Sequence, residues 1–285
     1  MNIILRVGRP DDAESCGQIC YEAFKAIADQ HSFPPDFPEP GVAVGLLSQL
    51  LSRGDIYSVV AEGDGRVVGS NFLWESVIVA GVGPITVDPA LQNVAVGRRL
   101  MDDVMRRAQE RRYAGVRLVQ AAYHNRSLSL YTKLGFDTRE PLSVMQGPAL
   151  GLEMYRRSVR QANEGDLAGC NSLSLKIHGF DRGPELLEAV KQGTATVVEM
   201  YGRVTGYATM VGFMGHAVGE NNEDLKALIG AAPAFPGPGF LLPTRNSELM
   251  RWCLGNGLRV VMPMTLMTTG LYNEPVGAFL PSVIY

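Results

Sequence analysis

Several features that would place a protein at once are scarce in this sequence. It holds four cysteines, Cys16, Cys20, Cys170 and Cys253, too few for a disulfide framework and without the paired spacing of a zinc site. Cys16 and Cys20 lie one helical turn apart, which reads as buried, reduced thiols. The four histidines are scattered and suggest no metal set. No apolar run approaches the roughly 18 to 20 residues of a membrane span, and the opening MNIILRVGRPDD is too soon charged for a signal peptide. These absences predict a cytoplasmic protein with no membrane partner. A formal net charge of −3 gives no global electrostatic reason to expect nucleic acid. What is present is ordinary globular chain, 46 % hydrophobic and 19 % charged, and 285 residues suit two domains better than one.

The two halves show an ordered self-similarity. Arg6, Asp12 and Cys16 repeat as Arg160, Asp166 and Cys170 at one common offset. Gly65-Arg66-Val67-Val68-Gly69 matches Gly202-Arg203-Val204-Thr205-Gly206, each a turn feeding a β-rich stretch. Asn125-Arg126-Ser127, Leu130-Tyr131 and Gly135-Phe136 are echoed by Asn246-Ser247, Trp252 and Gly257-Leu258. Three matches in one order predict a duplication with its junction near 147–155.

Period and punctuation predict the elements of the first half. A strand at 3–7 is followed by a helix capped at Asp12 and running to about Ala28. The stretch 31–40, with four prolines, His31 and Asp36, is a loop. A helix at 42–51 leads to strands at 56–62 and 66–75. From Val96, the apolar positions Val96, Leu100, Met101, Val104 and Ala108 share one helical face. A strand at 116–122, a short helix at 127–134 closed by Gly135, and strands to about Gln146 complete it.

Within 84–112, Ile85-Thr86-Val87-Asp88-Pro89-Ala90-Leu91-Gln92-Asn93-Val94-Ala95-Val96-Gly97-Arg98-Arg99-Leu100-Met101 resembles the acyl-CoA-binding motif of the GNAT acetyltransferase superfamily. Asn125 and Leu130-Tyr131-Thr132-Lys133-Leu134-Gly135-Phe136 resemble that superfamily's following motif. The strong motifs cover 56–145, and the whole chain resembles GNATs with two tandem domains, the second degenerate. The resemblance implies an α/β (α+β) fold, the GNAT acyl-CoA N-acyltransferase fold, with a mixed central sheet flanked by helices in two tandem related domains. Residues 1–150 would carry the acyl-CoA site; 151–285 would be a degenerate domain shaping the acceptor side. Acetyl-CoA is the implied co-substrate, with no metal, held by Ile85, Val87, Gln92, Asn93, Val94, Ala95, Val96, Gly97, Arg98 and Asn125.

The physics of the loop agrees, because successive backbone N–H groups opening a helix form an anion site suited to a pyrophosphate. Arg98 and Arg99 add positive charge. Ala95 stands where the family has glycine, and its Cβ would crowd the phosphates or resist a positive φ. Asn93 tolerates left-handed geometry. In the family, the tyrosine matching Tyr131 often protonates the departing thiolate. Asn125 either contacts pantetheine amides or caps the short helix. An oxyanion would be met by a backbone N–H near Val87. Glu75, at the end of a strand, is the candidate general base, with a solvated strand-end glutamate as the alternative.

At the corresponding place in the second half, 212–225 lacks the loop pattern and carries Glu220, Glu223 and Asp224, which would repel a pyrophosphate. Glu223 and Asp224 suit the first turn of a helix capped by Asn221 or Asn222. His216 reads as either a polar-pocket residue or a satisfied structural histidine. Met262, Met264 and Met267 read as strand residues filling a core. The expected function is an N-acetyltransferase, an acyltransferase moving an acetyl group from acetyl-CoA directly to the amine of a small molecule. A non-catalytic acyl-CoA sensor or interaction module, and a protein or peptide N-acetyltransferase, are the alternatives. The expected partner is a small-molecule amine, without nucleic acid or membrane, and a homodimer is left open.

Overall fold

The computed structural model describes residues 2–75, 78–92, 95–180 and 182–284. It divides into two compact units. Unit 1 comprises Met1–Asp137, Thr268–Leu271 and Ile284–Tyr285; unit 2 comprises Thr138–Met267 and Tyr272–Val283. The division falls ahead of the 147–155 stretch.

In unit 1, β1 (Ile3–Val7) pairs antiparallel with β2 (Ile56–Gly63), and β2 with β3 (Arg66–Trp74). The β2–β3 connection is Asp64-Gly65, both at positive φ (49° and 79°), the two-residue turn whose twist matches that of the strands it joins. β3 then serves two partners along its length. Leu73 and Trp74 pair with β4 (Val79–Val82), whereas Gly69 and Ser70 pair with β5 (Thr86–Val87). A Cβ on Gly69 would lie 2.7 Å from the Thr86 carbonyl oxygen, so glycine is what lets β5 approach. β4 is parallel to β6 (Gly115–Ala121) from Val79↔Gly115 to Gly81↔Arg117. Beyond that point the chain passes Gly83-Pro84, a cis peptide, and follows β3 as β5. The parallel strands thereby separate.

Helices α1 (Ala13–Gln30) and α2 (Pro40–Ser52) bury Cys16, Cys20, Ala43, Leu47 and Leu50 against Ile56, Val60 and Phe72. Pro40 sits at the start of α2, where its missing N–H costs nothing. Helix α3 (Val96–Glu110) buries Val96, Leu100, Met101, Val104 and Ala108, the stripe its sequence predicts, with the larger side chains worth about 1.5–3 kcal/mol each. Helix α4 (Asn125–Lys133) follows β6. It begins at Asn125, with His124 as its N-cap residue, two residues before the predicted start.

Unit 2 begins with β7 (Asp137–Gln146), which pairs antiparallel with β12 (Phe240–Pro243) at Phe240↔Met145. That pairing draws 138–146 into the second unit. Its five-stranded sheet runs β14-β11-β10-β9-β8, with β8 (Ser158–Gln161), β9 (Thr196–Met200), β10 (Arg203–Ala208), β11 (Ala217–Gly219) and β14 (Ala278–Leu280). Helices α5 (Leu167–His178), α6 (Gly183–Gln192), α7 (Asn222–Ala231) and α8 (Ser247–Gly255) flank it. β13 (Arg259–Gly270) carries the buried Met262, Met264 and Met267, and its last residues, from Thr268, belong to unit 1.

The repeat seen in the sequence is a repeat of contacts. In unit 1, Arg6 forks onto Asp12 at 2.8 and 2.7 Å and reaches Glu62 at 2.8 Å. In unit 2, Arg160 forks onto Asp166 at 2.8 and 2.7 Å and reaches Glu199 at 2.6 Å. Each aspartate also accepts the backbone N–H three residues before it. The arginine hydrogen bonds hold both carboxylates below the usual range, while burial opposes them. The turn Tyr201-Gly202 has φ of 53° and 75°, repeating Asp64-Gly65. Gly135 and Gly257 end α4 and α8 at φ of 87° and 85°. These two glycines bring Asn246 into line with His124, one place from the pairing its sequence predicts. All four cysteines are free and buried.

Candidate active site

Val87, Gly97 and Leu130 converge where β5, α3 and α4 meet. A Cβ built on Gly97 would stand 3.7 Å from Val87 Cγ2 and 3.9 Å from Leu130 Cδ2. Position 97 therefore tolerates a methyl group sterically, but a large side chain would fill the mouth of the helix. Ala95 precedes α3 at φ 62°, ψ 12°. This is the left-handed geometry that glycine takes without penalty, and an alanine pays about 1 kcal/mol for it. Among the described residues no side chain caps α3, and its first turn carries no acidic residue. The opening amides, which have no partner within the helix, together with the dipole favour an anion there.

The remaining predicted residues divide. Gln92 accepts a hydrogen bond from Arg126, so the turn before α3 and the first turn of α4 are joined. Asn125 opens α4 beside Arg126, and Ile85 is half-buried beside β5. Arg98 is exposed, 3.7 Å from Asp102, and Arg99 donates to the Ile3 carbonyl at 2.9 Å. Asn93 and Val94 lie outside the described residues. Glu75 is not brought to this place. Its carboxylate accepts from Arg107 at 2.7 and 3.2 Å and pairs with Arg111 at 3.4 Å. Those arginines sit at the other end of α3, roughly 16 Å from Val96 at 1.5 Å per residue. Glu75 is thus an ion-paired carboxylate at the far end of the helix from Val96.

Tyr131 is buried, with its ring 6.2 Å from that of Phe136. Burial pushes its phenol up to about 12, against the opposing effect of a hydrogen bond from Ser127. Ser127 Oγ in turn lies 2.6 Å from His124 Nδ1. His124 is held down to about 4 by burial and by the charges of Arg126 and His31, so its imidazole is neutral near pH 7. Residues 124, 127 and 131 thus form one hydrogen-bonded chain along a face of α4. The sequence contained the signal, since spacings of three and four place side chains on one helical face.

Unit 2 has a different arrangement at the matching helix. Asn221 caps α7, accepting from the Glu223 N–H at 3.0 Å, and Asp224 accepts from the Asn221 N–H at 3.2 Å. Asp224 is fully buried and also takes Arg157 and Thr205, each at 2.9 Å. The helix terminus is thus served by the chain's own carboxylate. β14 pairs with β11 and packs against β12, and buries Ala278, Phe279 and Leu280 there. His216 is buried between Glu185 at 2.9 Å and Tyr207 at 3.0 Å, a satisfied structural histidine. Glu220 is ion-paired with Arg203 and Lys176.

A helix terminus open to an anion, a pair of separating parallel strands and a buried tyrosine thus all belong to unit 1. Residues 23–136 match the model of the acetyltransferase (GNAT) family. A search of the curated proteins finds no match. Among solved structures, a Pyrococcus horikoshii protein aligns at 17 % identity and a TM-score of 0.75, covering 97 % of this chain and 94 % of that one. A GCN5-related N-acetyltransferase from Sphaerobacter thermophilus aligns at 15 % identity and 0.65, covering 95 % and 96 %. A tandem GNAT protein from the clavulanic acid biosynthesis pathway aligns at 13 % identity and 0.55, covering 94 % and 98 %. At these identities the likeness is one of fold, and it extends over both units. Among the described residues, no helix is long and apolar enough to cross a membrane.

Proposed function

We propose that the chain is an N-acetyltransferase that uses acetyl-CoA at unit 1 and passes the acetyl group directly to the amine of a small molecule. The observation that carries this reading is the start of α3: a left-handed Ala95, an uncapped and acid-free first turn, and Gly97 facing Val87 and Leu130. These residues fit a pyrophosphate, with Val96, Gly97 and Arg98 offering N–H groups and Gln92 and Arg126 beside them. The departure of β5 from the line of the paired β4 and β6 fits a pantetheine arm. When bound, acetyl-CoA would supply an acyl thioester for a neutral amine to attack, the C–N bond forming as the C–S bond breaks and the proton on the amine nitrogen passing to solvent water. Tyr131 holds a proton throughout the working pH range and delivers it to the departing sulfur; Ser127 and His124 orient its hydroxyl. A backbone N–H near Val87 meets the oxygen on which charge develops.

Titration calorimetry with acetyl-CoA tests the cofactor half of this reading, with one site per chain expected and its loss when Gly97 is replaced by tryptophan. An absence of heat from the unaltered protein sinks it. A screen of amines with free-thiol detection tests the transfer half, because an acyl-CoA sensor binds but releases no thiol with any amine.

A further inference from the structure

Tyr155 and Tyr201 stand on the surface of unit 2, each 78 % exposed. Tyr201 opens the turn between β9 and β10 at φ 53°, where unit 1 has Asp64 in the matching turn at 49°. Aspartate takes this left-handed conformation through its short polar side chain, whereas a bulky residue resists it. Arg156, next to Tyr155, is also left-handed at φ 58°. Backbone strain of this kind gathers where side chains are aimed at a ligand or a partner. A ring turned to solvent from a strained position adds little burial to its own unit.

Arg156 is held by both rings. Its guanidinium carbon lies 4.8 Å from the Tyr155 ring centre and 6.0 Å from that of Tyr201, and Nη1 donates to the Tyr201 hydroxyl at 2.8 Å. The neighbouring arginines are neutralised within the unit, Arg157 by Asp224 at 2.9 Å and Arg160 by Asp166 and Glu199. Arg156 meets no carboxylate among the described residues, so Nε and Nη2 remain as an edge that can take one in two parallel bonds. Because the side chain is already held, less freedom is lost when that edge is engaged. Three residues away, Glu153 is exposed and makes no ion pair or side-chain hydrogen bond among the described residues. Glu153 and Arg156 line one open hollow of about 680 Å³ together with the two tyrosines, yet do not pair with each other.

A surface that offers an unpaired cation, an unpaired anion and two aromatic rings is complementary to itself. In a twofold arrangement every contact from one residue to another is made again in reverse. The geometry points to a homodimer of this chain through residues 153–156 and the Tyr201-Gly202 turn, in which Arg156 of each copy pairs with the partner's Glu153 and the tyrosines pack across the axis into the two hollows. Tyrosine and arginine are the residue types that dominate the energy of such contacts. The patch is small, so the dimer is reversible rather than obligate. It does not depend on the acetyl-transfer reading, and neither stands or falls with the other.

The test is sedimentation velocity of the full chain over a wide range of concentration, for the unaltered protein, Glu153→Arg and Arg156→Glu. The parent should pass from monomer to dimer as concentration rises. Each single variant places like charges opposite one another and should weaken the dimer about 100-fold. An equal mixture of the two should regain it, because one copy then offers two arginines and the other two glutamates. Tyr201→Asn suits the left-handed turn and removes the ring, so it should keep or raise the melting temperature while weakening the dimer; a tyrosine held only for the fold would lower that temperature and leave association alone. A parent that stays monomeric, single variants that associate as the parent does, or a mixture no better than its components overturns the inference.

Discussion

The starts of α3 and α7 are related places in a duplicated fold, and they have been finished in opposite ways. At α3 the residue before the helix is left-handed, the first turn carries no acid, and among the described residues no side chain caps it. At α7 Asn221 and Asp224 form a reciprocal cap, and Asp224 is further tied to Arg157 and Thr205. The arginine-aspartate forks, the two-residue turns and the glycines closing α4 and α8 are kept in both units. Scaffold contacts have thus been preserved on both sides while the helix termini diverged. The glycine alignment also places Cys253 opposite Tyr131: Phe136 N–H donates to the Tyr131 carbonyl, and Leu258 N–H donates to that of Cys253. The second unit therefore lacks the phenol as well as the open helix. A site can be closed by satisfying its amides, with no change to the framework around it.

The comparison breaks most readily at Asp224. Replacing it with alanine leaves Arg157 without its buried partner and should cost about 3 kcal/mol, read by denaturant unfolding, without creating a second CoA site. A second equivalent of CoA bound by that variant would mean the capping carboxylate alone had closed unit 2. Next in size, Tyr131→Phe should lower kcat about 100-fold with CoA affinity intact, whereas Cys253→Ser should leave kcat unchanged. Equal rates for the tyrosine variant and the parent would remove its role as acid. A smaller effect is expected when α3 is made to resemble α7: Gly97→Glu puts a carboxylate in the first turn and should weaken CoA about tenfold, most at low salt.

Asp36 gives a pH-dependent prediction. Burial holds its carboxyl at about 6, above the 3.8 of the free group, so the fold is favoured by the protonated form. That contribution is complete below about pH 4 and is lost as pH rises through about 6. Nearby Tyr123 and Cys20 are both raised by burial and stay protonated over this window. Asp36→Asn should therefore melt about 3 °C higher than the parent near pH 8 and level with it near pH 4. The smallest effect is at Ala95, where glycine relieves the left-handed strain but adds freedom to the unfolded chain. Ala95→Gly should change stability by under about 1 kcal/mol and leave CoA affinity equal or tighter; a clear loss of affinity would show that the alanine methyl is itself a contact.

Much of the framework was legible in the sequence because it is written in local spacing. The stripe from Val96 to Ala108, the cap at Asn221 and the repeated Arg6-Asp12 and Arg160-Asp166 pairs involve residues a few positions apart. The position of the anion site was legible for the same reason, since strand, loop and helix follow one another. The ion pairing of Glu75 was not legible, because its partners, Arg107 and Arg111, come from a different element and a strand-end carboxylate carries no local mark of an ion pair. The stacking of Phe33 on Tyr123 was hidden likewise, joining a loop to the end of a strand over most of a domain's length. β7 was assigned to the first half because nothing in 138–146 announces that its hydrogen-bonding partner is β12.

That last exchange has a consequence for how the chain is made. Unit 1 is completed by Thr268–Leu271, where the Leu271 N–H donates to the Ala114 carbonyl at 2.8 Å and Gly115 admits the Leu271 backbone so closely that a Cβ would stand 2.6 Å from its oxygen. Unit 2 has already taken 138–146. During synthesis the first unit must wait for residue 271, with the open side of β6 exposed while more than a hundred residues emerge. Neither half is a contiguous stretch that can be cut out and expected to fold as it does here. The duplication has become a single folding unit in time, even though it remains two in space.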